Sequence, residues 1–428
     1  MLATERLVFI HLEGKAEAVP AGRLVMIEEG AAVEASRFAY GRRYMERRNP
    51  SALPVDPVSL PLDNNELGKD LLPSNGLTLF GAIRDATPDL WGRRVIENRL
   101  QAPPNSLPES VYLDCAGSNR FGALDIRETP DSGPADGELP SIVDLHYVLD
   151  AVERVEAGEP LPANLAPYLN GGPSMGGARP KAVVCHDGLE WIAKFPSRDD
   201  RFNVPVIERA TLELARIAGL DVPRTEIETL ADGRQVMLIE RFDRVPGPRG
   251  ITRKHVVSAL TMLGLHEPQS PDASYGQLSE MMADYGATGT VANDRQELFA
   301  RMGFNILVTN DDDHLRNHAF VHERDGWTLS PLYDVVPKPQ AGLERRLHLS
   351  VGPRGRLATL DNALEGAGDF GLMPGAAAGI IDRIAVVVRQ WREHFEAMGV
   401  TTSECDLVAT SFRRPNDLGL RYVMRHAP

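Results

Sequence analysis

The densest run of groups able to move a proton or hold a cation lies between Thr309 and Asp334, TNDDDHLRNHAFVHERDGWTLSPLYD. Asp311, Asp312, Asp313, His314, Asn317 and His318 crowd its first half, and Asp334 closes it. Carboxylate and amide oxygens suit a hard cation such as Mg2+. Asp312 precedes Asn317 by five positions. A kinase catalytic loop has the same interval between its base Asp and a metal-binding Asn, and a further metal Asp follows there after a short hairpin. The spacing therefore assigns Asp312 as the catalytic base and Asn317 and Asp334 as metal ligands, with His314 in support. Asp311 and Asp313 stay open as alternatives for the base. The competing reading is a solvated acidic loop whose Asp and Asn residues cap a helix.

These groups need elements to position them. HAFVHE has strand character, Asp325-Gly326 is a two-residue hairpin signal, and WTLSPLY returns antiparallel. That register sets Asn317 opposite Asp334. Pro331 lacks an N–H, so its strand lies at an edge or carries a bulge.

A second hairpin, KAVVCHDGLEWIAKF at 181–195, turns on Asp187-Gly188 and places Lys181 opposite Lys194. Opposed lysines repel unless an anion lies between them. The preceding NGGPSMGGARP includes Gly176 and Gly177, and free backbone N–H groups in such a loop cradle phosphate. It is not a Walker loop. Loop and lysines together favour a nucleoside triphosphate. The helical pattern at 206–220 carries Glu208, which either pairs with Lys194, as in kinases, or sits favourably near a helix N-terminus. TEIETL and RQVMLIERFDR read as strands around Asp232-Gly233, with MLIERF as a hinge offering backbone groups to adenine.

The chain has 428 residues, enough for two or three domains, and its 43% hydrophobic and 25% charged residues are those of an ordinary globular protein. A net charge of −14 argues against a surface built for nucleic acid as a whole; YGRRYMERR at 40–48 is a candidate local basic patch, and a solvated face of a loop or helix is the preferred reading of it. Three scattered cysteines, Cys115, Cys185 and Cys405, argue against a disulfide framework or zinc cluster and suit a reducing cytosol. Without a signal pattern or long apolar run, the expected location is the cytoplasm, with no membrane contact.

Strands are expected at 4–13 and 23–30, a helix starting near Thr87-Pro88-Asp89, and a hairpin at 111–127. The Pro-, Gly- and acid-rich stretch 128–141 marks a boundary, and a polar helix follows at 142–157. Further helices are expected at 252–264, 275–285, 294–309, 374–397 and 403–412, and the basic 345–360 segment is a candidate lining of the substrate side. The expected class is α+β. A β-rich N-terminal subdomain (1–135) leads through a linker and helix (136–165) to a kinase-like N-lobe (166–250) and a helical C-lobe (251–428).

FGAIRDATPDLWGRR, GSNRFGALDI, SMGGARPK, AKFP, LIERFDR, NDDDHLRNH and PLYDVVP, in this order, resemble the HipA family, kinase toxins of bacterial toxin–antitoxin modules. The likeness spans nearly the whole chain. It implies a bilobal, phosphoinositide-kinase-like variant of the protein-kinase fold using ATP and Mg2+. It also implies an aminoacyl-tRNA synthetase as protein substrate, and a small helix-turn-helix antitoxin of the HipB kind through which DNA is met only indirectly. Carried over by motif, Lys194 in AKFP binds ATP phosphates, and Glu240 and Phe242 in IERFDR present backbone groups to adenine; Lys181 is expected at the nucleotide from the lysine pair and the glycine-rich loop alone. The resemblance also makes Asp312 the base, puts Asn317 and Asp334 on Mg2+, and makes Ser174 a regulatory, autophosphorylated serine. A small-molecule kinase on the same scaffold and a regulatory ATP-binding module acting through antitoxin and operator are the alternative readings.

Overall fold

The computed structural model describes residues 1–132, 138–169, 177–248 and 250–413. In chain order, β1 (Leu2–His11), β2 (Ala18–Glu29) and β3 (Ala32–Tyr40) come first. Helices α1 (Arg42–Met45), α2 (Gly81–Asp85), α3 (Leu90–Leu100) and α4 (Glu109–Cys115) precede β4 (Leu124–Arg127) and α5 (Leu145–Glu156). Then follow β5 (Lys181–His186), β6 (Leu189–Lys194), α6 (Val204–Ile217), β7 (Thr225–Thr229) and β8 (Gln235–Glu240). Three short strands, β9 (Arg244–Gly247), β10 (Gly250–Arg253) and β11 (Val256–Ser258), lead to α7 (Ala259–Met262), α8 (Tyr275–Tyr285) and α9 (Val291–Val308). The hairpin β12 (Ala319–Glu323) and β13 (Gly326–Leu329) precedes α10 (Leu360–Glu365), α11 (Pro374–Arg389), α12 (Trp391–Ala397) and α13 (Thr402–Val408). By internal contact the chain divides into two compact units: Met1–Asp199 with Glu228–Leu265, and Asp200–Ile227 with His266 onward.

The first unit holds an antiparallel sheet of order β3-β2-β1-β4 and a second of order β5-β6-β8-β7, the division between units passing through β7. Helix α5 buries Leu145, Val148, Leu149, Val152 and Val155, one apolar stripe at helical spacing. Trp91 and Val95 of α3 join that stripe against Val184, Trp191, Ala193 and Leu238 of the second sheet, so both helices cover one face of it. At about 25 cal/mol per Å2 of buried apolar surface, a core of this size stabilises the sheet far more than its hairpin turns do.

Three expectations need correction in this unit. Helix α3 starts at Leu90 and is capped by Asp89, whose carboxylate accepts from Gly92 N at 2.8 Å; Thr87 instead donates to Arg84 O. The 111–127 segment begins as helix α4, burying Tyr112 and Leu113, and only its end is a strand. Short apolar runs do not reveal their period. The first half of 252–264 holds strand residues instead of helix, as the β-branched Thr252, Val256 and Val257 favour. The helix waits for the Ser258 cap, held by Asp85 through Ser258 N at 2.7 Å and Oγ at 2.8 Å.

The second unit is helical around α9, whose Leu298–Val308 stretch is buried throughout. Helices α8, α10 and α11 pack against it, and α6 packs on α11 and α12. Helix α8 spans the expected residues and opens with a capping box, Ser274 with Gln277. The expected 374–397 helix is broken at Gln390 into α11 and α12. Among the described residues no helix is long and apolar enough to cross a membrane. Cys115, Cys185 and Cys405 are free thiols.

His11 at the end of β1 is buried, and burial, then the Arg253 and Arg244 charges, push its imidazole from 6.5 down to about 3. The unfolded chain takes up this proton near 6.5 and the folded one only near 3. The unfolded state therefore binds more protons in that window, and stability must fall as the pH drops through it. Each pH unit costs up to about 1.4 kcal/mol. His11→Gln should flatten the loss, which denaturant melts at neutral and mildly acidic pH measure; an equally steep variant contradicts it.

Candidate active site

The acidic loop begins where α9 stops. Its cap, Thr309, has φ 55°, a left-handed conformation that costs a β-branched residue about 1–2 kcal/mol. Three contacts offset the cost. The Thr309 hydroxyl donates to Ser411 O at 2.5 Å and accepts from Arg345, and its carbonyl accepts from Lys338 N at 2.9 Å. Arg345 also donates to the carbonyls of Thr410 at 2.6 Å and Gln340 at 2.9 Å, so this arginine of the basic 345–360 segment is spent on holding the loop base.

The three aspartates that follow have three different environments. Asp311 accepts from Gln340 Nε2 at 2.6 Å and lies 3.1 Å from Lys338 Nζ. Asp313 is buried; His318 Nε2 donates to it at 2.9 Å and the Tyr275 hydroxyl donates to the same oxygen. Burial pushes the Asp313 carboxyl up, but the His318 charge and the His318 and Tyr275 hydrogen bonds outweigh it and hold the group below its ordinary value. Asp312 lies between them, exposed, and no described residue hydrogen-bonds to its carboxylate. Only its backbone is engaged: the carbonyl accepts from His314 N at 2.8 Å and Asn317 Nδ2 at 3.0 Å.

A carbonyl only accepts, so the Asn317 group facing it must be the amide NH2, and Oδ1 lies on the other side of the planar amide. Asp334 is half-buried at φ 58°. The Tyr333 hydroxyl donates to Arg316 O at 2.8 Å, tying the segment that carries Asp334 to the residue before Asn317. Among the described residues no cluster of three His, Cys, Asp or Glu could hold a metal. One amide and one carboxylate oxygen fit Mg2+, which keeps several waters and substrate oxygens in its shell.

The hairpin register differs from the expected one. Glu323 pairs with Gly326 and Phe320 with Leu329, so the turn is Arg324-Asp325, with Arg324 at φ 56°, and Asn317 does not face Asp334 across a ladder. Gly326 is needed for a different reason. A Cβ there would lie 2.6 Å from Ala287 N, because the 286–287 backbone passes against it and Ala287 N donates to Trp327 O at 3.0 Å. Asp325 accepts from the N–H and hydroxyl of Thr288, which fixes it in the turn.

In the first unit Lys181 pairs with Lys194 as the Asp187-Gly188 turn predicts, both turn residues having positive φ. The anion that relieves their repulsion is Asp89: Lys181 Nζ lies 2.7 Å from Asp89 Oδ2, both buried. Asp89 thus caps α3 with one oxygen and neutralises Lys181 with the other. Trp91 Nε1 donates to Lys181 O at 2.8 Å and Trp91 N to Gly177 O at 3.3 Å, so the start of α3 grips the chain where it leaves the glycine-rich loop. Gly176 and Ser174 lie outside the described residues. Lys194 is half-buried at the end of β6, opposite Met237 of β8.

Glu240 ends β8 opposite Trp191, and Phe242 stacks edge-on with Phe121 at 5.7 Å. Between and beyond them lies a buried cluster with no counterpart in the sequence reading. Arg241 binds Asp243 at 2.7 Å, Asn119 Oδ1 at 2.6 Å and Arg120 O at 2.8 Å. Arg244 binds the same three at 2.7, 3.0 and 2.6 Å, and Glu190 at 3.1 Å. Burial alone would push the Asp243 carboxyl up; the two guanidiniums instead bring it to about 2. The motifs GSNRFG and RFDR, far apart in sequence, are therefore two halves of one contact. Glu208 is buried on α6 in the second unit, one turn beyond the Asn203 cap. The sequence also gave Asp89, Tyr275 and His318 no role. The Pro-Asp before an apolar helical run was a readable signal for Asp89, and Tyr275 had none.

Fold and loop together define a chain of the protein-kinase-like class, α+β with a helical second part. It belongs to the HipA family: residues 173–391 match the family model of the HipA-like C-terminal domain. The serine/threonine-protein kinase toxin HipA of Shewanella oneidensis is 25% identical over 337 residues, 71% of each chain. A chain in the solved complex of the Shewanella oneidensis MR-1 toxin–antitoxin system, with HipA, HipB and operator DNA, shares the fold. Its TM-score is 0.64 at 18% identity, covering 97% of both chains.

Removing one member of a buried ion pair leaves the other charge unpaired, at about 3–5 kcal/mol. Asp89→Ala, which also loses the α3 cap, should destabilise the protein by at least that much in a denaturant melt, and Lys181→Met in the same chain should recover part of it. A loss below about 1 kcal/mol in Asp89→Ala would mean the pair is solvated.

Proposed function

We propose that the chain is an ATP- and Mg2+-dependent serine/threonine protein kinase that arrests growth as the toxin of a toxin–antitoxin pair. The observation that carries this is Asp312: an exposed carboxylate free of described hydrogen-bond partners, on a backbone closed by Asn317. Asp312 accepts the proton of the acceptor hydroxyl as its oxygen attacks the terminal phosphorus, and the bond to the departing diphosphate breaks. When bound, ATP supplies the phosphoryl group and Mg2+ neutralises its charge. Asn317 Oδ1 and the Asp334 carboxylate hold the cation. Lys194 binds phosphate oxygens, and Glu240 and Phe242 offer backbone groups to adenine. Lys181 acts through Asp89, steadying the strand that leaves the phosphate loop at Gly177. His314 supports the loop through its N–H on Asp312 O.

The Shewanella toxin–antitoxin complex supports a HipB-like helix-turn-helix antitoxin as partner, with operator DNA met through it. The protein substrate is an aminoacyl-tRNA synthetase and the location is the cytoplasm. Transfer of label from ATP to a protein in a lysate, and identification of that protein, tests the substrate.

Asp312→Asn should keep nucleotide affinity while transfer falls by about 10²–10⁴, the usual contribution of a positioned base. Asp334→Asn should weaken Mg2+-dependent nucleotide binding in calorimetry. Undiminished transfer by Asp312→Asn would overturn the assignment. Ser174 should also become phosphorylated on incubation with Mg2+ and ATP, and the modified protein should bind ATP poorly, because a phosphate adds about −1.5 to −2 charges to the loop that this reading assigns to the triphosphate. Mass spectrometry with an Asp312→Asn control checks this, and an unmodified Ser174 beside labelled substrate would refute self-inactivation.

A further inference from the structure

The phosphotransfer reading uses Asp312 and Asn317 and leaves Asp313, the most deeply enclosed carboxylate of the run, without a task. Its surroundings are specific. Tyr275 stands at the first position of α8, and its hydroxyl donates to Asp313 Oδ2. The same hydroxyl accepts from Asn305 Nδ2 of α9 at 3.4 Å, and Asn305 Oδ1 accepts from Asn310 Nδ2 at 3.1 Å. His318, fully buried ahead of β12, donates from Nε2 at 2.9 Å, and its Nδ1 has no hydrogen-bond partner among the described residues. The rings of Tyr275 and His318 meet edge-on at 5.7 Å. The start of α8 and the approach to β12 thus meet on one carboxylate, and α9 is tied in through the Tyr275 hydroxyl.

The position of this carboxylate matters more than its burial. Asp313 is the residue next to Asp312, and the carbonyl of the peptide that joins them, Asp312 O, is held by His314 and Asn317. With the 313 side chain drawn inward and the 312 carbonyl fixed, the 312–313 peptide is held at both ends, and with it the backbone from which the Asp312 carboxylate leaves the loop. Removing either donor leaves a buried carboxylate one partner short, and the local answer is a rotation about the backbone that Asp312 shares.

The geometry points to Tyr275, Asp313 and His318 as positioning residues that aim the Asp312 carboxylate, so that they govern the transfer step and not nucleotide binding. This rests on the phosphotransfer reading. A misplacement of about 1 Å costs a rate on the order of a hundredfold. The full chain is compared with Tyr275→Phe, His318→Leu, His318→Gln and Asp312→Asn in ATP turnover, nucleotide affinity by calorimetry, and thermal melting. Tyr275→Phe deletes one hydroxyl, and His318→Gln keeps a donor near the place of Nε2.

The expected result is a turnover lower by about ten- to a hundredfold in Tyr275→Phe and His318→Leu. Their nucleotide dissociation constants should stay within about twofold of the parent, and His318→Gln should recover most of the rate. Near-parental turnover in Tyr275→Phe and His318→Leu, with Asp312→Asn inactive, overturns the positioning role alone. Turnover and affinity falling together in both, without rescue by His318→Gln, overturns it in favour of a purely structural role. If Asp312→Asn turns over as fast as the parent, the phosphotransfer reading itself fails and the inference with it.

Discussion

A carboxylate buried in a protein needs donors, and few arrangements of a chain supply them. Asp313 gets its donors from Tyr275 and His318, which belong to the start of α8 and the approach to β12. Desolvating an isolated carboxylate would cost far more than any single contact in this unit contributes. The helical unit therefore tolerates only those placements of the loop that keep both donors in reach. Everything next to it inherits that choice. Thr309 takes an unfavourable φ to leave α9 at the right point, and Arg345 is buried to hold it there.

The first unit solves a similar problem with more charges. Arg241, Arg244, Asp243 and Glu190 balance two against two in a buried cluster, and Asn119 and the Arg120 carbonyl take the remaining donors. Such a cluster adds little net stability, since desolvation offsets most of the attraction. Its contribution is geometric. The chain after β8 can leave the sheet in one direction only, because both guanidiniums must meet the loop at 119–122.

Local signals in the sequence succeeded where the local geometry was also the final one. The Asp187-Gly188 turn fixed its hairpin and put Lys181 opposite Lys194, because both residues take the positive φ that the turn needs. Asp325-Gly326 carries the same signal and failed. There the glycine is spent on a close backbone approach to Ala287, and the aspartate on Thr288, so the turn moved back one residue. The cap of α3 moved from Thr87 to Asp89 for a related reason, since Asp89 answers to Lys181, ninety-two residues away, as well as to Gly92. Pairings of this range leave no mark on a local pattern, and the Arg241–Asp243 cluster was missed on the same ground.

The acidic run shows the limit most clearly and also explains the spacing that was legible. Asp311, Asp312 and Asp313 are chemically identical, and only distant donors, Lys338 on one side and Tyr275 and His318 on the other, make one lateral, one exposed and one buried. No composition or periodicity could sort them. The interval from Asp312 to Asn317 is different, because it is a closure condition. His314 N reaches back to Asp312 O at 2.8 Å, and Asn317 N reaches back to His314 O at 2.8 Å. Two successive backbone turns thus carry the chain round until the Asn317 side chain meets the Asp312 carbonyl at 3.0 Å. One residue fewer or more would carry the amide past that carbonyl and lose the contact. The interval of five is thus the one that closes this loop, which is why it can be read in the letters while the environments of the three aspartates cannot.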